Sequence, residues 1–204
     1  MGEAIDVLEQ RDAAAAAEIR IASLAAHSAE LRYDPDSPVA GNPEGDVTVV
    51  EFFDYRCPYC REFNLQLAGL LAADSEIQFV YKEYPILRPD SKLAAQAALA
   101  ARWQQPNLYP ASHKALMETS DPLDARTLGA IAEDFGLSGH LLEDEMVNAA
   151  IEADIAAIHA LAEAIGTDGT PGFVVGEVVV LGYVPGSVIL ELVDEARAEC
   201  RSCQ

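Results

Sequence analysis

Cys57 and Cys60 bracket Pro58-Tyr59 in a C-x-x-C, and a second C-x-x-C, Cys200-Arg201-Ser202-Cys203, lies one residue from the end of the chain. In the first turn of a helix, positions three apart share a face, close enough for two sulfurs to bond. Pro58 suits a first-turn position, where its missing N–H is no loss. Cys57 then sits at a helix N-terminus, beside free N–H groups and the positive end of the dipole. Such a setting stabilises a thiolate and brings a thiol pKa from about 8.5 into the range of roughly 3.5–7.5. Cys57 is therefore expected to be the exposed, acidic nucleophile. Cys60, one turn deeper, is expected to be the buried thiol that resolves a mixed disulfide. A structural disulfide and half of a metal site are the other readings of this spacing, and the strand-loop-helix context favours redox chemistry. Zinc ribbons space their cysteine pairs by about 15–20 residues, far less than the separation here, so no metal is expected. The tail pair has no strand before it and no room for a helix after it. A local disulfide is the expectation there.

Two further places could take part. Glu51 lies on an apolar run six residues before Cys57, and an unpaired buried carboxylate asks for a reason. It stands either as a buried acid or as a strand-end group facing solvent, with Lys82 as its candidate charge partner. Thr170-Pro171 precedes a strand. A cis bond there would turn the Thr170 backbone toward the cysteines, where it could pair with a substrate chain as an added strand does. None of His27, His113, His140 and His159 forms an H-x-x-H or H-E-x-x-H pattern. His159 reads as structural, and Trp103 as a packing residue at a helix end.

The elements that must position these residues follow from periodicity. Val47 to Phe53 reads as a buried central strand. Cys57 to Ala73 reads as a helix and Ile77 to Tyr84 as a strand, giving a β-α-β unit with a right-handed crossover. From Asp90 to Gly166 the pattern is helical: one helix capped by Asp90 or Ser91 and running to Trp103, shorter ones near 111–119 and 124–135, then a stripe from Val147 to Ile165. Phe173-Val175 and Val178-Leu181 flank Gly176-Glu177 as a hairpin. Ser187 is placed to cap a closing helix from Val188 to Ala198. Residues 33–46, rich in Pro, Gly and Asn, read as a connector. Residues 3–32 read as one alanine-rich helix with two thin apolar faces, which must dock on something. Docking on its own domain, as a monomer, is the expectation over an oligomerisation arm. The order β-α-β, helices, β-β-α is an α/β thioredoxin arrangement. It comprises an N-terminal helical extension (1–33), a thioredoxin-fold domain (34–89 and 167–204) and an inserted helical subdomain (90–166).

Composition narrows the partners. Thirteen Lys and Arg stand against 34 Asp and Glu, a net charge of −21 in 204 residues. Such a surface repels phosphate, so nucleic-acid binding is excluded and anionic membranes are disfavoured. No apolar run approaches the roughly 18 residues of a membrane span. Met1-Gly2-Glu3 opens on neither a basic segment nor an apolar core, so no signal peptide is visible. The chain is then cytosolic, or begins after a removed leader.

Glu51-Phe52-Phe53-Asp54-Tyr55-Arg56-Cys57-Pro58-Tyr59-Cys60, with Gly169-Thr170-Pro171-Gly172-Phe173, resembles the DsbA family of bacterial thiol–disulfide oxidoreductases. Ser37-Pro38-Val39-Ala40-Gly41-Asn42-Pro43 and Val184-Pro185-Gly186 are similar to its alphaproteobacterial-type members. The resemblance covers residues 34–199. It implies a thioredoxin fold, a cis Pro171 and a periplasmic location. It implies that Glu51 sits beneath Cys60 and takes and returns its proton. It implies that Pro58, Tyr59, Thr170 and Pro171 contact substrate, with no cofactor needed. The implied partners are unfolded or reduced secreted proteins and a membrane redox partner. Tyr59 stands where the best-known members carry histidine, and Thr170 resembles the isomerases and reductases. A DsbA-like oxidase is the main expectation. An isomerase or reductase of the same fold, a non-catalytic chaperone or binding module, and a zinc-binding interaction domain are the alternatives.

Overall fold

The computed structural model describes residues 16–202, with side chains through residue 199. Among the described residues five strands, β1 (Val39–Gly41), β2 (Val47–Phe53), β3 (Ile77–Glu83), β4 (Gly172–Val175) and β5 (Val178–Leu181), form one sheet in the order β1-β3-β2-β4-β5. Strand β2 (Val47–Phe53) lies in the middle, parallel to β3 (Ile77–Glu83) and antiparallel to β4 (Gly172–Val175). β4 turns into β5 (Val178–Leu181) through Gly176, which takes φ +58°, a left-handed conformation that glycine adopts at no steric cost. Short β1 (Val39–Gly41) pairs antiparallel with β3 at the sheet edge. It falls inside the stretch read as a connector. Three residues next to Pro38 are too few to show a period of two, and only pairing to a neighbour makes them a strand.

The period of two on the central strands sorts their side chains onto two faces. Val47, Val49, Phe53, Ile77, Phe79, Tyr81, Phe173 and Val175 join one buried cluster, with Phe63 and Leu67 of α3 (Pro58–Ala73) and Ile189 and Val193 of α9 (Gly186–Ser202). Val50, Phe52, Val80, Tyr84 and Val174 join a second cluster on the other face. Burying each of the large side chains contributes roughly 1.5–3 kcal/mol.

Four helices, α4 (Pro89–Gln104), α5 (Tyr109–Glu118), α6 (Ala125–Asp134) and α7 (Gly139–Met146), form a layer against the first face. Then α8 (Ala149–Ile165) leaves that layer: Ile151 and Ile155 belong to the first cluster, Ile158, Leu161 and Ile165 to the second. α7 was hidden in the sequence by Gly139 at its first position. Ser138 caps it by accepting from the Leu141 N–H at 3.3 Å. α4 is not capped by Asp90 or Ser91. Pro89 occupies its first turn behind an extended Arg88, which leaves the Asp90 carboxylate free to pair with Arg56. α9 likewise starts at Gly186, ahead of Ser187.

The reading of one helix over 3–32 lies partly outside the described residues. Within them, α1 (residues 16–26) and α2 (Ser28–Arg32) meet at a turn at His27, whose ring Nδ1 lies 2.9 Å from the Ser23 carbonyl. Leu24 and Leu31 are buried in the second cluster against Phe52 and Val80. Ser23 Oγ donates to Ala164 O at 2.6 Å and Arg32 to Gly176 O at 2.6 Å. The described part of the extension thus packs on its own sheet.

Candidate active site

Strand β2 ends at Phe53, and four residues, 54–57, lead into α3. Asp54 organises that turn. Its carboxylate accepts from the backbone N–H groups of Arg56 at 2.7 Å, Ile86 at 2.9 Å and Leu87 at 2.9 Å. Its carbonyl accepts from the Cys57 N–H at 2.9 Å. One buried side chain therefore ties the turn after β2 to the loop after β3. A sequence has no mark for this, because an Asp after a strand is ordinary.

Cys57 is the N-cap of α3, with extended backbone (φ −75°, ψ 118°) and Pro58 following in the first turn. Its sulfur accepts from the Cys60 N–H at 3.4 Å and lies 3.1 Å from the Thr170 carbonyl, to which the thiol donates. The Thr170-Pro171 bond is cis. Both cysteines are free thiols. Hydrogen bonding from the Cys60 thiol, opposed by burial and aided by the backbone N–H groups of Cys60 and Tyr59, lowers the Cys57 pKa to about 6. Burial, the hydrogen bond to Cys57 and the charge of Glu51 push the Cys60 thiol far up. Cys57 is not the exposed thiol that the sequence suggested. It is 2% exposed, against 0% for Cys60. The cover comes from the Thr170 segment, which the chain returns to the site more than a hundred residues later.

Pro58 and Tyr59 are exposed beside the covered sulfur, Thr170 is half-buried and Pro171 is buried. The Tyr59 ring lies 5.9 Å from that of Tyr183. Gln66 fixes Tyr183 by donating to its hydroxyl at 2.7 Å, and accepts from the Gly186 N–H at 3.1 Å. Tyr183 is a site neighbour that spacing could not reveal.

Glu51 is 2% exposed in the middle of the central strand, and its Oε1 has no hydrogen-bond partner. Burial, with the negative charge available at Cys57, holds its pKa well above the usual carboxylate range. Burial thus favours the protonated form of this carboxyl. Lys82 is not its partner. Parallel register sets Glu51 beside Tyr81 and Phe52 beside Lys82, so Lys82 points to the other face. There its ammonium donates to Glu30 O at 2.6 Å, Asp34 Oδ2 at 3.0 Å and Ser37 Oγ at 2.5 Å. His159 lies with its ring 4.9 Å from that of Tyr84. Trp103 is 37% exposed rather than packed. The tail pair is outside the described side chains. Among the described residues, no group of three or more His, Cys, Asp or Glu is placed to hold a metal ion, and no helix is long and apolar enough to cross a membrane.

A nucleophilic thiol at a helix start, a deeper high-pKa thiol and a buried carboxyl of raised pKa on one side of a sheet can exchange disulfides. Known proteins agree. The family model described as Thioredoxin matches residues 33–195. The crystal structure of a thioredoxin-like oxidoreductase from Silicibacter pomeroyi DSS-3 is 46% identical and superposes with a TM-score of 0.79, covering 83% of this chain and 97% of that one. The thiol:disulfide interchange protein DsbA of Bordetella parapertussis is 26% identical over 157 residues, 74% of this chain and 73% of that protein. The Na(+)/H(+) antiporter NhaA 3 of Salinispora tropica is 30% identical over 145 residues. That match takes in 70% of this chain and only 22% of the antiporter, so the chain spans about a fifth of that relative's length. The chain belongs to the thioredoxin family and groups with its DsbA-type thiol–disulfide oxidoreductases.

Proposed function

We propose that this thioredoxin-family protein works in the periplasm as a DsbA-like oxidase, passing a Cys57–Cys60 disulfide to reduced secreted proteins. The observation that carries the reading is the asymmetry of the two thiols: Cys57 is lowered to about 6 while Cys60 is raised. In the oxidised protein a client thiolate attacks the Cys57 sulfur. The Cys57–Cys60 bond breaks, and Cys60 leaves and takes the proton held by Glu51. A second client thiolate then attacks the client sulfur of the mixed disulfide. The client disulfide forms, Cys57 departs as a thiolate, and two electrons have passed from client to protein. A low-pKa thiol leaves readily, which favours donation of the disulfide. A membrane redox partner accepts the two electrons and restores the Cys57–Cys60 bond. Pro58, Tyr59, Thr170 and Pro171 form the rim on which the client chain lies. An oxidising compartment supports the reading chemically, because only there do product disulfides persist.

Refolding of reduced ribonuclease tests it. The intact protein accelerates disulfide formation, Cys57→Ala abolishes the effect, and Cys60→Ala accumulates mixed disulfides. In the intact reduced protein, where the Cys60 thiol is present to hydrogen-bond, alkylation of Cys57 should follow a midpoint near 6. A midpoint near the ordinary value of about 8.5 overturns the reading. Full activity of Cys57→Ala would instead mark a chaperone.

A further inference from the structure

Behind the cysteine turn lies a set of buried polar groups that the thiol exchange does not use. Glu83, the last residue of β3, is 1% exposed, as are Tyr55 and Tyr109; His113 is 2% exposed. Tyr109 Oη donates to Glu83 Oε1 at 2.7 Å. Tyr55 Oη lies 2.9 Å from the same carboxyl oxygen and 3.0 Å from His113 Nδ1. The Tyr55 hydroxyl has one proton to place between Glu83 and His113, with the Tyr109 hydroxyl beside it, so its direction depends on theirs.

Two arrangements satisfy every contact. With Glu83 ionised, Tyr55 and Tyr109 both donate to the carboxylate, and His113 donates to Tyr55 from Nδ1–H. With Glu83 protonated, the carboxyl donates to Tyr55, Tyr55 donates to His113 Nδ1, and the imidazole carries its proton on Nε2. Passing from the second state to the first releases one proton to solvent, turns the Tyr55 hydroxyl round and changes the His113 tautomer. No buried contact is lost in either state, which is what allows the reversal.

The chain of bonds reaches the reactive thiol through Tyr55, two residues before Cys57. The Tyr55 carbonyl accepts from Arg61 Nε at 2.8 Å, and Arg61 Nη1 donates to Thr119 O at 2.6 Å. The turn is thus clamped at the Tyr55 hydroxyl and at its carbonyl, and both clamps lead to α5 and the residue after it. The other titratable groups facing the cluster are Asp54 on the same turn and Tyr81 on β3, whose ring lies 4.6 Å from that of His113. Glu51 on β2 acts on Tyr81.

We propose that Glu83 is a positioning residue of the thiol centre: through the Tyr55 hydroxyl it holds the turn that presents Cys57, and loss of its proton reverses the hydrogen-bond chain that ends on His113. The proposal rests on the reading of Cys57 and Cys60 as a disulfide-exchange centre. Burial pushes Glu83 up to about 8, and burial pushes His113 down to about 3. The reversal therefore falls near pH 8, with the imidazole neutral throughout. Above that pH the layer that holds Glu51 carries one more negative charge, which disfavours a thiolate nearby.

Carbon-13 and nitrogen-15 spectra of the histidines in the intact protein, from pH 5 to 10, test it without any variant. His113 should pass from the Nε2–H to the Nδ1–H tautomer with a midpoint near 8. A single tautomer across the whole range overturns the proposal. The alkylation rate of Cys57 should show two inflections, near 6 and near 8. Glu83→Gln and Tyr55→Phe should each lose the second and hold His113 in one tautomer. Persistence of the second inflection in Glu83→Gln also overturns it. Absence of the inflection near 6 would instead sink the exchange-centre reading, and the His113 result would stand.

Discussion

Glu51 and Lys82 sit on adjacent central strands, each buried among apolar side chains, one facing each side of the sheet. Their surroundings differ completely. All three ammonium protons of Lys82 have partners, in Glu30 O, Asp34 and Ser37. Glu51 Oε1 has none. Desolvating a charge costs several kcal/mol unless partners compensate it. On one face the protein supplies those partners, and the charge ties the N-terminal extension to the sheet. On the other face it withholds them, and burial holds the carboxyl pKa well above its ordinary range. The first arrangement favours stability; the second favours a group that gives up and takes back a proton at need.

Lys82→Met should have the largest effect. It strands Asp34, Ser37 and the Glu30 carbonyl, so unfolding in urea should shift by about 3 kcal/mol. The rate of disulfide exchange in the folded protein should not change. A slowed exchange with unaltered stability would mean that Lys82 serves the cysteines after all.

Glu51→Gln should do the opposite. Without the proton held for Cys60, exchange at pH 7 should slow by roughly ten- to a hundredfold. The variant should also be more stable by about 1 kcal/mol at pH 7. The sign follows from the raised pKa. The unfolded chain ionises this group above about 4.3 and the folded chain resists, so the parent loses stability as pH rises through that value. The gain should vanish below about pH 4. A gain that persists there would trace to packing instead.

Asp34→Asn should have the smallest effect. Burial pushes this carboxyl up, but hydrogen bonds from Ser37 and Lys82 outweigh it and the net pKa is lowered. Its contribution is therefore present above about 3.9 and lost as pH falls through the folded value. At pH 7 the loss should be about 1 kcal/mol, because the side chain is 30% exposed. Calorimetry at pH 7 and pH 2.5 checks it, and an equal loss at both would remove the charge from the explanation.

The same contrast explains what could be read from the chain alone. The run Val47–Phe53, the helix after Cys57 and the hairpin about Gly176 are local patterns, and local patterns carry their own period and turn chemistry. The thioredoxin order of elements followed from them. The side on which Lys82 lies depends on its register with β2, which is set by contacts thirty residues apart. The cover over Cys57 comes from Thr170, and the partners of Glu83 from α5 and from the turn after β2. Each of these joins segments distant in sequence through side chains that are individually unremarkable in type. Glu51 was legible because a carboxylate breaks an apolar strand. Glu83 was not, because it falls at a strand's end, where a charged residue is expected.

Trp103, the sole tryptophan, lies thirteen residues after Asp90 on α4, half open to water. At about 1.5 Å per residue it stands roughly 20 Å along the helix axis from the Arg56–Asp90 pair that borders the cysteine turn. Disulfides quench indole emission only at contact. The tryptophan emission of this protein therefore reports the helical layer rather than the cysteine pair. Its redox equilibrium must be followed by mass, by thiol labelling or by the tyrosine signals of Tyr59 and Tyr183.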